Sequence, residues 1–125
     1  MSDYEGTYAI RLRRIAQRDI NEEIVRIATL MDEKYAVEWH RGLLDKIAAL
    51  SALPRRAPTA DENHLFRGEV RVIPYRFRAG AFYRLFYSVH EPAEDALFVL
   101  ILHLRHGARK PMTRREARVI ETDNQ

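Results

Sequence analysis

The chain contains no cysteine among its 125 residues. Disulfides, thiol nucleophiles and cysteine-ligated zinc are thereby excluded, and this usage fits a reducing compartment. Long apolar runs are missing too. The longest, Ala96 to Leu102, falls far short of the roughly 20 residues that a membrane-crossing helix needs. No charged-then-apolar leader opens the sequence, so it reads as a cytoplasmic protein with no membrane contact. Phosphate-cradling GxxxxGK[ST] and GxGxxG loops, HExxH helices and GxSxG elbows are absent. His40, His64, His90, His103 and His106 stand near no carboxylate at a metal-ligand spacing, so neither a metal nor a cofactor is expected. Internal repeats, low-complexity tracts and heptad arrays are also lacking.

What is present suits one domain spanning 1–125, with a core over about 8–118: 46% of the residues are apolar, enough for one continuous interior. Net charge is only +3, but it is unevenly spread. Gln17 to Leu53 carries seven acids and five bases, whereas His64 to Arg118 carries eleven bases and five acids. The second half therefore has the bias of a surface that meets phosphates or an acidic protein, or of a solvated arginine-rich exterior.

Tyr8 to Arg14 alternates, with Tyr8, Ile10 and Leu12 on one side and Arg11 and Arg13 on the other, which predicts a half-buried strand. Ile20, Ile24, Ile27 and Met31 then recur at helical spacing, with Asp19 and Glu22 forming a possible capping box in the opening turn. A second stripe, Ala36, Trp39, Leu43, Ile47 and Leu50, widened by Leu44 and Ala48, runs until Pro54 and should pair with the first helix as a hairpin. Pro54 to Asn63 breaks every period and reads as a mobile loop. Glu69 to Arg78 is strand-like, and Pro74 implies an edge, a bulge or an early end. Ala79 and Gly80 supply a turn. Phe82 to Val89 alternates again, Glu91 to Asp95 is a polar turn, and Ala96 to Leu104 is apolar on both faces, as in a well-covered central strand. Glu121 to Gln125 reads as a frayed tail. The order β-α-α-β-β-β argues for an α+β domain, a helical hairpin on a curved, mainly antiparallel sheet.

The densest polar cluster, His103 to Lys110, combines titrating imidazoles with phosphate-matching guanidinia. Strand period puts His103 and Arg105 on one face and His106 on the other, unless Gly107 twists the chain first. Such a cluster suits phosphoryl chemistry or anion binding, or is simply a polar strand end whose histidine ties down a loop. Arg84, embedded among Tyr83, Leu85, Phe86 and Tyr87, requires a partner or a solvated concavity. In a cupped sheet Arg71, Arg76 and Arg78 would line the same hollow, and Tyr87 would stack on a base or pack.

The segment Phe82-Tyr-Arg-Leu-Phe-Tyr87 resembles the YRLLY strand of the RelE/ParE toxins, and Leu102 to Arg109 resembles their closing L-x-x-R-H-G-x-R strand. Ile15 to Ile27 is similar to their first helix. The resemblance implies the toxin of a type II toxin-antitoxin system, neutralised by a co-encoded antitoxin in a hetero-oligomer. It implies one of two activities: ParE-like members bind and poison DNA gyrase, and RelE-like members cut ribosome-bound mRNA. On the second reading Arg84, Arg109 and His106 would form the catalytic set, with Arg71 also holding phosphate. The functional tyrosine of RelE has no counterpart after Arg109, since Lys110 to Arg118 contains none. The R-H-G-x-R ending resembles ParE-like sequences more closely, which makes gyrase the expected target. A fold retained as an inactive interaction module is the remaining alternative.

Overall fold

The computed structural model describes residues 8–78, 81–94 and 96–122. In chain order the elements are β1 (Ala9–Leu12), α1 (Arg14–Leu30), α2 (Glu33–Ala49), a short 3-10 turn (Asp61–Leu65), β2 (Arg71–Phe77), β3 (Ala81–His90), β4 (Phe98–His106) and α3 (Arg114–Thr122). The expected α+β order is present, and α3 is added where no element was expected.

The alternation at the amino end does produce a strand, with Ile10 and Leu12 turned inward, but it stops at Leu12 because α1 starts at Arg14 without a side-chain cap. Asp19 thus lies inside α1 rather than in its opening turn, and its carboxylate is free for other partners. Ile20 and Ile27 are buried as the stripe requires, whereas Met31 turns out to solvent where α1 ends. Asp32 caps α2 by accepting from the Tyr35 N–H at 2.7 Å, which allows the tight reversal between the helices. Ala36, Trp39, Leu43 and Ile47 are buried; Leu44 and Ala48 face water, so the second stripe is narrower than the sequence suggested.

The sheet order is β1-β4-β3-β2. β3 pairs antiparallel with both β2 and β4, and β1 joins β4 in parallel. The apolar run thus becomes an inner strand, and Pro74 sits in the edge strand β2, where a missing N–H is tolerated. Phe86 pairs with His103 but Tyr87 with Ile101, leaving Leu102 as the extra residue of a β-bulge that bends the sheet. The turn expected at Ala79 and Gly80 lies outside the described residues, as do Asp95 of the following turn and 123–125 of the tail.

Two apolar layers result. On the hairpin face Trp39, fully buried, meets the rings of Tyr75 and Tyr83 at 6.0 and 5.3 Å, with Leu85, Val99 and Ile101 around them. Gly42 admits the Tyr75 hydroxyl, which donates to the Trp39 carbonyl at 2.7 Å; a Cβ at Gly42 would lie 2.3 Å from that oxygen. On the opposite face α3 buries Ala117 and Ile120 against Phe86, Leu102 and Met112. The segment read as a mobile loop is held at several points: Tyr87 donates to the Pro54 carbonyl, Arg71 to the Ala57 carbonyl, and the Ala60 N–H to Val70.

Candidate functional site

The face of the sheet that carries α3 brings together most of the charged residues of β3 and β4. Arg84 and Arg105 are direct cross-strand neighbours, and alternation turns both to this side. Neither guanidinium stands alone. Arg84 donates to both oxygens of Glu62 at 2.6 and 2.7 Å, a bidentate pair that half-covers it against the Phe86 ring. The Arg84 hydrogen bonds hold the Glu62 carboxyl below the usual carboxylate range and, reciprocally, raise the guanidinium. This is why the 3-10 turn forms where it does: Asp61 to Leu65 lays Glu62 over the middle of β3.

Arg105 is only 3% exposed. It donates to the Lys110 carbonyl at 2.6 Å and faces Glu116 at 3.4 Å, while Arg109, half exposed, binds the same carboxylate at 2.8 Å. Glu116 is placed by a capping box: its carboxylate accepts from the Thr113 N–H at 2.9 Å, and its own N–H donates to the Thr113 hydroxyl at 3.0 Å. The Thr113 N–H, with Arg105 and Arg109 assisting, holds the Glu116 carboxyl below its ordinary range. Arg84, Arg105 and Arg109 therefore share one face, each with a carboxylate from within the chain.

His103 completes this cluster. It is 4% exposed, stacks on the Phe86 ring at 5.7 Å with the planes inclined by 28°, and sits 2.7 Å through Nδ1 from Asp19 of α1. The same Asp19 oxygen accepts the Leu104 N–H at 3.1 Å. β1 ends opposite Ile101, so this carboxylate caps the stretch of β4 edge that β1 leaves open. Nε2 of His103 faces an Arg105 nitrogen at 3.4 Å. Arginine only donates, which assigns the proton to Nδ1 and the lone pair to Nε2. Beside His103, Arg109 and Arg115, a cleft of about 300 Å³ opens between α1 and α3.

The remaining candidates fall elsewhere. His106 turns to the hairpin face, edge-on to Tyr83 at 5.1 Å, and accepts the Ala108 N–H through Nδ1. Near it Tyr83 donates to Glu23, which also takes Arg26. The sheet thus separates His106 from Arg84 and Arg105. Arg71 and Arg78 do not join Arg84 in one hollow as the sequence suggested: Arg71 points to the hairpin side, bound to the Ala57 carbonyl at 2.6 Å, and Arg78 pairs with Glu38 over the Tyr35 ring. Arg76 does share the face of Arg84 but lies over Phe82 at 4.6 Å. Tyr87 is fully buried with its hydroxyl on the Pro54 carbonyl, so its ring packs and has no face open to a base. The Lys110 side chain is exposed beside Arg109. Asp19, Glu62 and Glu116 were not read from the sequence as part of a site; only Thr113-x-x-Glu116 carried a usable local signal.

Residues 10–111 match the family described as ParE toxin of type II toxin-antitoxin system, parDE. The chain belongs to the ParE toxin family. No curated protein matches it significantly. As a type II toxin this ParE-family chain has a cognate antitoxin as its partner. No helix among the described residues is long and apolar enough to cross a membrane.

Proposed function

We propose that this toxin acts in the cytoplasm by binding DNA gyrase and blocking its cycle without breaking RNA, and that its antitoxin neutralises it by covering the α3 face. The observation that carries this reading is the distribution of polar groups. Arg84 and Arg105 are saturated by Glu62 and Glu116, and His106 faces the other side of the sheet. A phosphodiester held by Arg84 and Arg109 would find no imidazole of His106 within hydrogen-bond reach, and general acid-base catalysis requires that reach. Binding needs no such reach, and the half-exposed Arg109 beside the exposed Lys110 supplies charge for it.

A specific feature favours the alternative of ribosome-dependent mRNA cleavage: Asp19 orients His103 as a carboxylate orients a general base, and Arg109 and Arg115 flank the same cleft. Induction of the chain without antitoxin separates the two. Gyrase poisoning gives growth arrest with relaxed plasmid and full-length message by primer extension. Codon-phased cuts in message, with normal plasmid supercoiling, would replace the gyrase reading by the nuclease one, and unimpaired growth would identify an inactive interaction module.

A further inference from the structure

A second pocket, of about 170 Å³, opens on the α3 face at the other end of the sheet, away from the arginine cluster. Its rim carries Arg13, Ser88 and His90, and its floor is built from Val70, Leu100 and Leu102. Arg13 follows directly on β1, and its backbone N–H is fixed on the Ile101 carbonyl at 2.9 Å. Its guanidinium differs from those of Arg84, Arg105 and Arg109: no carboxylate among the described residues pairs with it, and its Nε is buried without a hydrogen-bond partner. A buried donor left without an acceptor is costly and rare. His90 stands opposite, its ring parallel to Phe98 at 4.7 Å and its Nε2 2.7 Å from the Ser88 hydroxyl. Arg11 also lies over the Phe98 ring, at 3.9 Å.

Two acids also line this pocket, and both are engaged elsewhere. Glu69 pairs with Arg71 at 3.3 Å, and Glu121 accepts the Arg67 and Gly68 N–H groups at 2.7 and 3.0 Å. The pocket thus presents a cation that no carboxylate among the described residues pairs with, a hydroxyl and an imidazole above an apolar floor.

We propose that this pocket receives a glutamate side chain of an acidic protein partner, its carboxylate on the Arg13 guanidinium and the Ser88 hydroxyl, its methylenes on Leu100 and Leu102. The apolar floor favours a carboxylate carried on a short hydrocarbon stem over a phosphodiester, whose oxygens would meet aliphatic carbon there. The assignment holds for whichever target the arginine cluster serves. Burial, with Arg13 and Arg11 next, lowers the affinity of His90 for a proton. A bound carboxylate offsets that repulsion, so binding and protonation of His90 support each other and affinity rises as pH falls toward the titration of His90.

The test is an NMR titration of the full-length chain with N-acetylglutamate N-methylamide, its glutamine counterpart and inorganic phosphate, followed at the Arg13 Nε–H and the His90 ring. The glutamate compound should shift both signals saturably, about tenfold more tightly than the glutamine one, and more tightly at pH about 6 than at about 8. Arg13→Gln should abolish the shifts at His90 while leaving the thermal midpoint within a few degrees; were that variant unfolded, Ser88→Ala should weaken the binding instead. Equal binding of glutamine, absence of shifts, shifts that survive both substitutions, or preference for phosphate would each overturn the proposal.

Discussion

His103 and His106 stand three residues apart and lie on opposite faces of the sheet. The reason is plain strand alternation over an odd separation: His103 pairs with Phe86 and His106 with Tyr83, in an unbroken register that begins after the bulge at Leu102. Strand period alone placed the two on different sides, and Gly107 comes too late to change that. What period could not supply was the partner of His103: Asp19 is 84 positions away, and nothing local joins them. Replacing His103 with Ala should therefore cost about 2–3 kcal/mol, because it opens a buried site and leaves the Asp19 carboxylate with the Leu104 N–H alone of its two β4 partners, whereas His106→Ala should stay within about 0.5 kcal/mol. Urea unfolding of the two variants checks this difference. The pairing of Arg84 with Glu62 was half legible. An arginine inside an apolar strand needed a partner, but which residue would supply it depended on how the segment after Pro54 folded.

At the scale of elements, the helical hairpin and the three late strands were visible because each carries a period of its own. The parallel pairing of β1 with β4 was not, since it joins strands separated by the whole hairpin and depends on closing that long loop. α3 was missed for a different reason: its arginines at 114, 115 and 118 looked like the continuation of a basic surface, and its apolar contribution is limited to Ala117 and Ile120. Thr113 with Glu116 was the available start signal. Because Glu116 serves the cap and two arginines together, Glu116→Ala should destabilise the chain by about 1–2 kcal/mol, and Thr113→Ala, which removes only the cap, by about 1 kcal/mol or less. Denaturant midpoints of the two variants decide whether the arginines add to the cap as the geometry requires. Ending the chain after Pro111 should expose Phe86 and Leu102 and give a chain that binds a hydrophobic dye, read against the full-length chain.

Across the whole molecule, stability should peak between about pH 7 and pH 9. On the acid side, burial lowers His90 below its ordinary value, and the Arg84 and Thr113 hydrogen bonds lower Glu62 and Glu116. In each case the unfolded chain takes up the proton first. Stability therefore declines gently as pH falls below the usual histidine value, then steeply below the usual carboxylate range. On the alkaline side, burial pushes Tyr75 up to about 12 and raises Tyr83 and Tyr87 as well. The unfolded tyrosines ionise first, so stability is lost as pH rises above 10 toward those raised values. Urea midpoints taken across this range should show the plateau with two falling limbs; a stability still rising above pH about 10 would contradict the burial of the three hydroxyls. For function, the proposal is that the arginine face meets gyrase by exchanging the carboxylates of Glu62 and Glu116 for those of the target. The measurement that tests this most directly is supercoiling of relaxed plasmid by purified gyrase with the toxin added in stoichiometric steps, using the unaltered chain, Arg84→Ala and His106→Ala. Inhibition by the unaltered chain and by His106→Ala, weakened about tenfold or more in Arg84→Ala, is the expected result; full supercoiling in the presence of excess unaltered toxin would contradict it.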